Sequence, residues 1–249
     1  MRVAIQVEYD GTRYSGFQYQ LNTKTIQGEL ENSIEKLTGE QARVYGAGRT
    51  DSGVHALGQV VVFNTNFSGN AYSCMKGMNY YLPEDIAVKK IKVVSEYFDP
   101  RRDALARFYR YTILNSDTRS PIMRHTSYIE PNKLNIVEMN KAADLFVGIH
   151  DFSRFSAPLD DKEASTVRKI EHSKWNSDHQ FFEYNVKGNA FLPRQVRRMT
   201  GALVDVGKGL ISCNDLEEMI LGSSEKISNS LPPQGLCLVK VIYQQSPFE

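Results

Sequence analysis

The feature that most constrains the fold is an order of predicted elements that occurs twice along the chain. Hydrophobic periodicity and turn residues predict strand, helix, strand, strand, helix, strand between Val3 and Val94, and a similar order follows up to Tyr243. Two strands between two helices are typical of the split βαβ unit of ferredoxin-like, or RRM-like, domains. We therefore predict an α+β fold of two βαββαβ halves, with domains at residues 1–103 and 104–249.

The predicted boundaries rest on turn residues and on helix start and stop signals. In the first half we predict strands at 3–9, 42–47, 59–64 and 86–94, and helices at 26–37 and 71–81. In the second half we predict strands at 104–114, 167–175, 181–187 and 236–243, and helices at 134–147, 193–206 and 215–221.

The composition is that of a soluble globular protein, with 41% hydrophobic and 24% charged residues. The apolar run near Met1 is too short for a signal peptide, and no stretch approaches the ~20 apolar residues of a membrane span. Three widely spaced cysteines without a CxxC pair support neither a disulfide framework nor a zinc site. We therefore expect a reducing, cytoplasmic environment.

The charge is balanced overall, at +1, but unevenly distributed. Six arginines and two aspartates lie between Arg101 and Arg124, and five basic residues and one aspartate lie between Lys187 and Lys208. Such segments can meet a polyanion, although solvated charge on a helix or strand face produces the same pattern.

A charged group interrupts the glycine-rich sequence GAGRTDSGVHALGQVVVF, which begins at Gly46. Arg49 and Asp51 lie between two predicted strands, where a turn is expected. In an extended chain the two side chains would point to the same side, toward one cleft. Asp51 is interpreted either as a turn carboxylate or as a catalytic group.

Several common sites are excluded around this segment. A dinucleotide-binding loop needs a third glycine where Asp51 stands, and the negative charge of Asp51 would repel a pyrophosphate. The chain has no GK[ST] phosphate-binding loop and no GxSxG elbow, and its five histidines lack the spacing of metal ligands. We therefore predict neither a cofactor nor a metal.

Four sequence blocks resemble, in order, those of the tRNA pseudouridine synthases of the TruA family: YDGTRYSGFQ, GAGRTDSGVHALGQV, RFYRY and NAFLPRQVRRMTGALVDVG. The resemblance covers nearly the whole chain, and the GRTDxGVHA block is highly specific. Phe17 stands where the family often has Trp, and Ser52 where Ala is common. Neither departure changes a charged residue.

The resemblance implies one mixed, mainly antiparallel sheet formed by both halves around a central basic cleft. It also implies a homodimer that works without metal or cofactor. The implied activity is the isomerisation of uridine to pseudouridine at positions 38, 39 and 40 of the tRNA anticodon stem-loop. The glycosidic bond breaks, the uracil turns over, and C5 is joined to the sugar.

The resemblance also assigns roles to single residues. It implies one catalytic residue, Asp51, and five substrate-binding residues, Arg49, Tyr109, Arg110, Arg197 and Arg198. Arg49 would support the flipped nucleotide, and Tyr109 would lie against the uracil. Arg197 would pair with Asp51 and keep it ionised. The remaining two arginines would meet phosphate groups.

Two other functions fit the same residues. A catalytically silent RNA-binding protein of RRM-like build would use the aromatic and basic side chains of RFYRY and would not need Asp51. A glycoside hydrolase would use Asp51 together with a second carboxylate, either Asp10 or Asp103. Detection of pseudouridine in treated tRNA separates the three functions.

Overall fold

The computed structural model describes residues 1–159, 161, 163–223 and 229–248. The chain divides into two units, of which unit 1 comprises Met1–Leu105 with Cys237–Glu249 and unit 2 comprises Ala106–Leu236. The predicted domains, 1–103 and 104–249, stay a prediction, because the division into compact units does not show which part of the chain folds alone.

The elements follow the predicted alternation of strands and helices. The first run is β1 (Arg2–Tyr9), α1 (Ile26–Thr38), β2 (Tyr45–Gly46), β3 (His55–Asn64), α2 (Ala71–Tyr81) and β4 (Ile86–Val93). The second run is β5 (Ala104–Asn115), β6 (Tyr128–Glu130), α3 (Ile136–Asp144), β7 (Gly148–Asp151), β8 (Val167–Asp178), β9 (Phe181–Gly188), α4 (Gln195–Gly207), α5 (Cys213–Ile220) and β10 (Leu236–Tyr243). The predicted α+β class is confirmed.

In unit 1, β1 lies between β3 and β4 and is antiparallel to both. The other edge of β3 pairs with two strands, in parallel with β10 where Cys237 faces His55, and in antiparallel with β2 where Tyr45 faces Val62. Helix α2 packs on β4 and on α1. The segment that joins β2 to β3 therefore starts and ends beside the edge of β3 that pairs with β2 and β10.

In unit 2, β9 lies between β5 and β8 and is antiparallel to both, while β7 extends the sheet beyond β8. Helix α3 packs on β8 and on α4. On the buried face, Tyr184 lies opposite Tyr111 and Trp175, and the Trp175 and Tyr184 rings stack with their centroids 5.2 Å apart. One face of this sheet thus holds the core of unit 2, and polar side chains occupy the other.

Helices α1 and α2 follow their predicted signals closely, whereas α3 is shorter than the predicted 134–147 and α5 begins two residues before the predicted residue 215. The Thr25 hydroxyl accepts the Gly28 amide at 3.2 Å and caps α1, and Gly39 ends the helix in the left-handed conformation (φ 74°). Helix α2 has the predicted bounds. Helix α4 begins at Gln195, two residues later than predicted, because the preceding Arg194 has a φ of 60°, which is not helical.

Most predicted strands lie within one residue of their observed bounds, and the larger differences are in β2, β3 and the end of β8. The strand predicted at 42–47 is reduced to β2, because the Glu31 carboxylate accepts the Val44 amide at 3.1 Å and replaces a strand partner. Strand β3 begins at His55 rather than at residue 59. The short strands β6 and β7 were not predicted.

Candidate active site

Asp51 lies in a loop of residues 47–54, the Asp51 loop, which joins β2 to β3 without strand pairing of its own. At its start, the Ala47 amide donates to the Val60 carbonyl at 2.8 Å. The Gln59 side-chain amide donates to the Gly48 carbonyl at 2.8 Å. Beyond Asp51 the chain turns, and the Val54 amide donates to the Asp51 carbonyl at 3.2 Å. Strand β3 therefore holds the first residues of the loop.

The centre of the loop is held by residues 9–17, here called the anchoring segment. The Phe17 amide donates to the Thr50 carbonyl at 3.1 Å. The Tyr14 carbonyl accepts the Ser52 hydroxyl at 3.0 Å and the Gly53 amide at 3.3 Å. Asp51 therefore lies between two points that are both fixed by the anchoring segment.

A buried hydroxyl pair adds a side-chain contact between the same two regions. The Tyr9 hydroxyl lies 2.8 Å from the Thr50 hydroxyl, and both residues are buried. Hydrogen bonds of this kind gain strength where water is excluded. The pair connects the end of β1 to the residue directly before Asp51.

The anchoring segment can approach the loop this closely because residue 16 is glycine. Gly16 has a φ of +98°, and a Cβ atom there would lie 2.8 Å from the Thr50 carbonyl oxygen. Any other side chain would push the two backbones apart and would strain the segment. Residues of the first block, YDGTRYSGFQ, thus hold in place the loop formed by the second block, GAGRTDSGVHALGQV.

The shared orientation expected for Arg49 and Asp51 does not follow from the structure. Residues 49–51 are not in a strand, so side-chain alternation does not apply to them. Arg49 is exposed, and Asp51 is half-buried. Asp51 therefore combines partial shielding from water with a fixed main chain, as a catalytic carboxylate requires.

The two carboxylates proposed as hydrolase partners serve local turns. Asp10 accepts the Thr12 amide at 2.9 Å and caps a short helical turn. Asp103 accepts the Asp99 amide at 2.9 Å. Asp10 Oδ1 also lies 3.1 Å from Nδ1 of the buried His55. None of these contacts favours a two-carboxylate site.

In unit 2, strand β5 carries Tyr109 and Arg110 on opposite faces of the sheet. Tyr109 lies on the buried face, 7% exposed, with its ring edge-to-face against Phe191 at a centroid distance of 5.3 Å. Arg110 lies on the other face, where it contacts Asn185 Oδ1 at 3.2 Å and Glu183 at 3.4 Å. The structure therefore does not bring these two predicted substrate-binding residues together.

The two arginines of α4 make different contacts. Arg197 donates from Nε to the Leu231 carbonyl at 2.7 Å, and its own carbonyl accepts the Leu231 amide at 3.2 Å. Arg198 donates to the Arg154 carbonyl at 3.4 Å. Burial, together with the nearby charge of Arg194, lowers the pKa of Arg198. Arg197 thus fixes the segment before β10, while Arg198 reaches the loop after β7.

Some residues of this region were not assigned a role from the sequence. Arg107 is buried on the same face as Tyr109 and donates to the Asn189 carbonyl at 2.7 Å, and Phe191 packs against the Tyr109 ring. Arg107 and Tyr109 are two residues apart in one strand, which predicts that their side chains lie on the same face of the sheet. Phe191 stands in the block NAFLPRQVRRMTGALVDVG, but no local pattern indicates its contact with Tyr109 or the pairing of Tyr9 with Thr50, because those contacts join distant parts of the sequence.

Two structural features are absent from the described residues. Within 1–159, 161, 163–223 and 229–248, no helix has both the length and the apolar character needed to cross a membrane. In the same part of the chain, no three His, Cys, Asp or Glu side chains are grouped so that they could hold a metal ion.

Comparison with known proteins identifies the family. A family model described as tRNA pseudouridine synthase matches residues 5–101 and 142–244. Proteins named tRNA pseudouridine synthase A from Geobacter sp. (strain M21) and Thermoanaerobacter sp. (strain X514) are each 40% identical to the chain. These matches cover 98% and 97% of this chain, respectively, and 99% of each relative.

A third relative of the same name, from Shewanella piezotolerans, is 41% identical over 98% of this chain and 94% of its own. The comparisons give no support to a catalytically silent RNA-binding protein, and they confirm the resemblance seen in the four sequence blocks. The chain belongs to the tRNA pseudouridine synthase family, whose members are isomerases that convert uridine to pseudouridine in tRNA.

Proposed function

We propose that this chain isomerises uridines 38, 39 and 40 of the tRNA anticodon stem-loop, with Asp51 as the catalytic carboxylate. The observation that carries the proposal is the position of Asp51 within the GRTDxGVHA block, half-buried on a loop that two regions of unit 1 hold in place. A fixed charge of this kind acts without a large reorganisation during the reaction.

The reaction needs a carboxylate because positive charge develops at the sugar. When the C1′–N1 bond breaks, its electron pair leaves with the uracil, and C1′ becomes electron-poor. Asp51 stabilises or traps C1′, or removes a proton from the sugar, while the uracil turns. As the C1′–C5 bond forms, a C1′–Asp51 bond breaks if C1′ was trapped, or the sugar proton returns from Asp51 to the sugar if one was removed. C5 then loses its proton and N1 gains one, so that the product is an isomer of the substrate and Asp51 is regenerated.

The other roles implied by the resemblance are part of the same proposal. Arg49 supports the flipped nucleotide, and its exposed side chain is free to move toward RNA. Tyr109 lies against the uracil, and Arg197 is a further substrate-binding residue. Arg198 binds phosphate near this site. Arg110, on the opposite face of β5 from Tyr109, binds phosphate elsewhere.

The proposal is tested by the Asp51→Asn variant, which keeps the size of the side chain and removes its charge. We expect loss of pseudouridine in treated tRNA, measured by carbodiimide modification, with nearly unchanged tRNA affinity, because phosphate contacts dominate affinity. Asp103→Asn is the matched control and should keep its activity. Turnover by Asp51→Asn within about tenfold of the unmodified enzyme would contradict the assignment.

We further propose a cytoplasmic homodimer in which both subunits hold one tRNA. The net charge of +1 per chain is low for binding a long polyanion, and two-fold pairing doubles the basic surface. The cysteines form no disulfide, as suits a reducing compartment. Arg119 and Arg124, between β5 and β6, are the basic residues that we expect to contact the tRNA held by the other subunit. Heterodimers of an Asp51→Asn chain and an Arg119→Gln/Arg124→Gln chain should recover activity that each homodimer lacks. A monomer at micromolar concentration would contradict the shared-substrate arrangement.

A further inference from the structure

The sheet of unit 2 has a polar face opposite the one that carries Tyr109. Residues that lie opposite each other on neighbouring strands point to the same side of a sheet. Three rows of side chains cross β5, β9 and β8 on this side: Phe108, Lys187 and His172; Arg110, Asn185 and Lys174; Thr112, Glu183 and Asn176. We call these three rows, with Lys169 and Glu171 of β8, the open face.

The open face carries more positive than negative charge. Its basic side chains are Arg110, Lys169, Lys174 and Lys187, and its carboxylates are Glu171 and Glu183. Lys187 pairs with Glu171 at 2.8 Å, and Arg110 pairs with Glu183 at 3.4 Å. Lys169 lies 3.8 Å from Glu171, a longer contact than the one that Glu171 makes with Lys187. No described residue forms an ion pair with the exposed Lys174. Two lysines of β8 therefore present positive charge to solvent.

The chemistry of the open face favours a phosphate backbone over a protein partner. A protein interface usually has an apolar centre, whereas the large apolar side chain within these rows is the half-buried Phe108, and the exposed Ile149 of β7, opposite Lys169, lies outside them. The remaining positions offer ammonium, guanidinium, amide, hydroxyl and imidazole groups, which are the donors that contact phosphate and ribose in nucleic-acid complexes. An anionic RNA backbone fits both the charge and the polarity.

The register of β5 separates this face from the uracil site. Tyr109 and Arg110 are consecutive residues of a regular strand, so their side chains leave opposite sides of the same sheet. If Tyr109 lies against the target uracil, Arg110 cannot reach the same nucleotide. Its phosphate partner then belongs to another part of the RNA.

We infer that the open face of unit 2 is a second tRNA contact, which binds phosphate groups outside the modified stem-loop. The inference rests on the proposed function for the identity of the RNA, and on the strand register for the separation of the two contacts. It extends RNA binding to Lys169 and Lys174, which no sequence block of the resemblance contains.

The test compares the binding of full-length tRNA and of the isolated anticodon stem-loop, by fluorescence anisotropy over a range of salt concentrations. The double variant Lys169→Gln/Lys174→Gln should bind full-length tRNA about tenfold more weakly, with a salt slope smaller by roughly one to two. Its affinity for the stem-loop should stay within about twofold of the unmodified protein. Both lysines are exposed, so the melting temperature should not change.

The control variant is Lys90→Gln/Lys92→Gln, which removes the same charge from two exposed lysines of β4 in unit 1. Equal weakening by this control would show a general charge effect and would overturn the inference. Equal weakening on the stem-loop, or unchanged tRNA affinity with a reduced dimer mass, would overturn it as well. Binding is measured separately from pseudouridine formation, so a chain that binds tRNA without modifying it contradicts the proposed function but not this contact.

Discussion

The Asp51 loop and strand β5 hold their site residues by different means. In the loop, main-chain and side-chain groups from the anchoring segment and from β3 fix a backbone that has no regular pattern. In β5, the regular pairing with β9 decides which face each side chain takes. The position of Asp51 therefore depends on contacts with distant residues, whereas the faces taken by the side chains of β5 depend on its register.

The largest expected effect in this comparison comes from Gly16→Ala. The added Cβ would lie 2.8 Å from the Thr50 carbonyl oxygen, at a φ of +98° that alanine rarely adopts. The anchoring segment must then move away from the loop, and an ångström-scale shift of Asp51 is enough to lower turnover by about 100-fold. Single-turnover rates on tRNA would measure the loss.

The control for this variant is Gly39→Ala, at the end of α1. Gly39 also has a positive φ, 74°, but no atom lies within 4 Å of the position of an added Cβ. We expect a loss of about 1 kcal/mol in the free energy of unfolding and unchanged turnover. A similar loss of turnover in both variants would show that backbone strain alone, rather than the contact with Thr50, lowers the rate.

The second prediction compares two tyrosines on the buried face of β5. Tyr109→Leu should lower turnover by roughly 10- to 100-fold in the folded enzyme, since the proposed role of its ring is to contact uracil. Loss of its buried contact with Phe191 should also lower the melting temperature, but less than the change at Tyr111. Tyr111→Leu should act through folding, because Tyr111 is fully buried and its hydroxyl donates to the Pro232 carbonyl at 2.7 Å. We expect it to cost about 3 kcal/mol.

Kinetics and thermal melting of both variants would measure the difference. Equal kinetic losses with equal melting temperatures would contradict the separate roles of the two tyrosines. Tyr111→Phe, which keeps the ring and removes the hydroxyl, should lose only the contribution of one hydrogen bond, about 1 kcal/mol.

The same contrast explains which parts of the molecule could be predicted from the sequence. Helix α2 was predicted with its observed bounds, and the start of α1 at Thr25 followed from its cap, because both depend on neighbouring residues. Strands β6 and β7 have three and four residues and were missed, because such short strands exist through partners that are distant in sequence.

In the candidate site, too, some features follow from local sequence patterns and others depend on contacts between distant residues. Asp51 could be predicted because it stands in a specific block, and the opposite faces of Tyr109 and Arg110 follow from strand alternation. The support of the loop could not be predicted, because Tyr9 and Thr50 are separated by 41 residues. The shortening of β2 has the same origin, since the Glu31 side chain of α1 takes the Val44 amide.

The third prediction concerns the buried hydroxyl pair next to Asp51. Thr50→Val has nearly the same shape and removes the 2.8 Å hydrogen bond to Tyr9. We expect turnover to fall about tenfold, the equivalent of roughly 1.4 kcal/mol, with little change in KM for tRNA. Thr50→Ser restores the hydroxyl and should recover most of the rate. If Thr50→Ser were as slow as Thr50→Val, the methyl group rather than the hydrogen bond would matter.

The smallest expected effect is that of Ser52→Ala. The exposed Ser52 donates its hydroxyl to the Tyr14 carbonyl at 3.0 Å, but the Gly53 amide donates to the same oxygen at 3.3 Å and would remain. A part-buried hydrogen bond whose acceptor keeps a second donor should contribute about 0.5 kcal/mol. We therefore expect turnover within about threefold of the unmodified enzyme, measured on the same tRNA. A loss above tenfold would mean that the loop depends on each contact of the anchoring segment separately, and that the main-chain bonds alone cannot hold Asp51 in place.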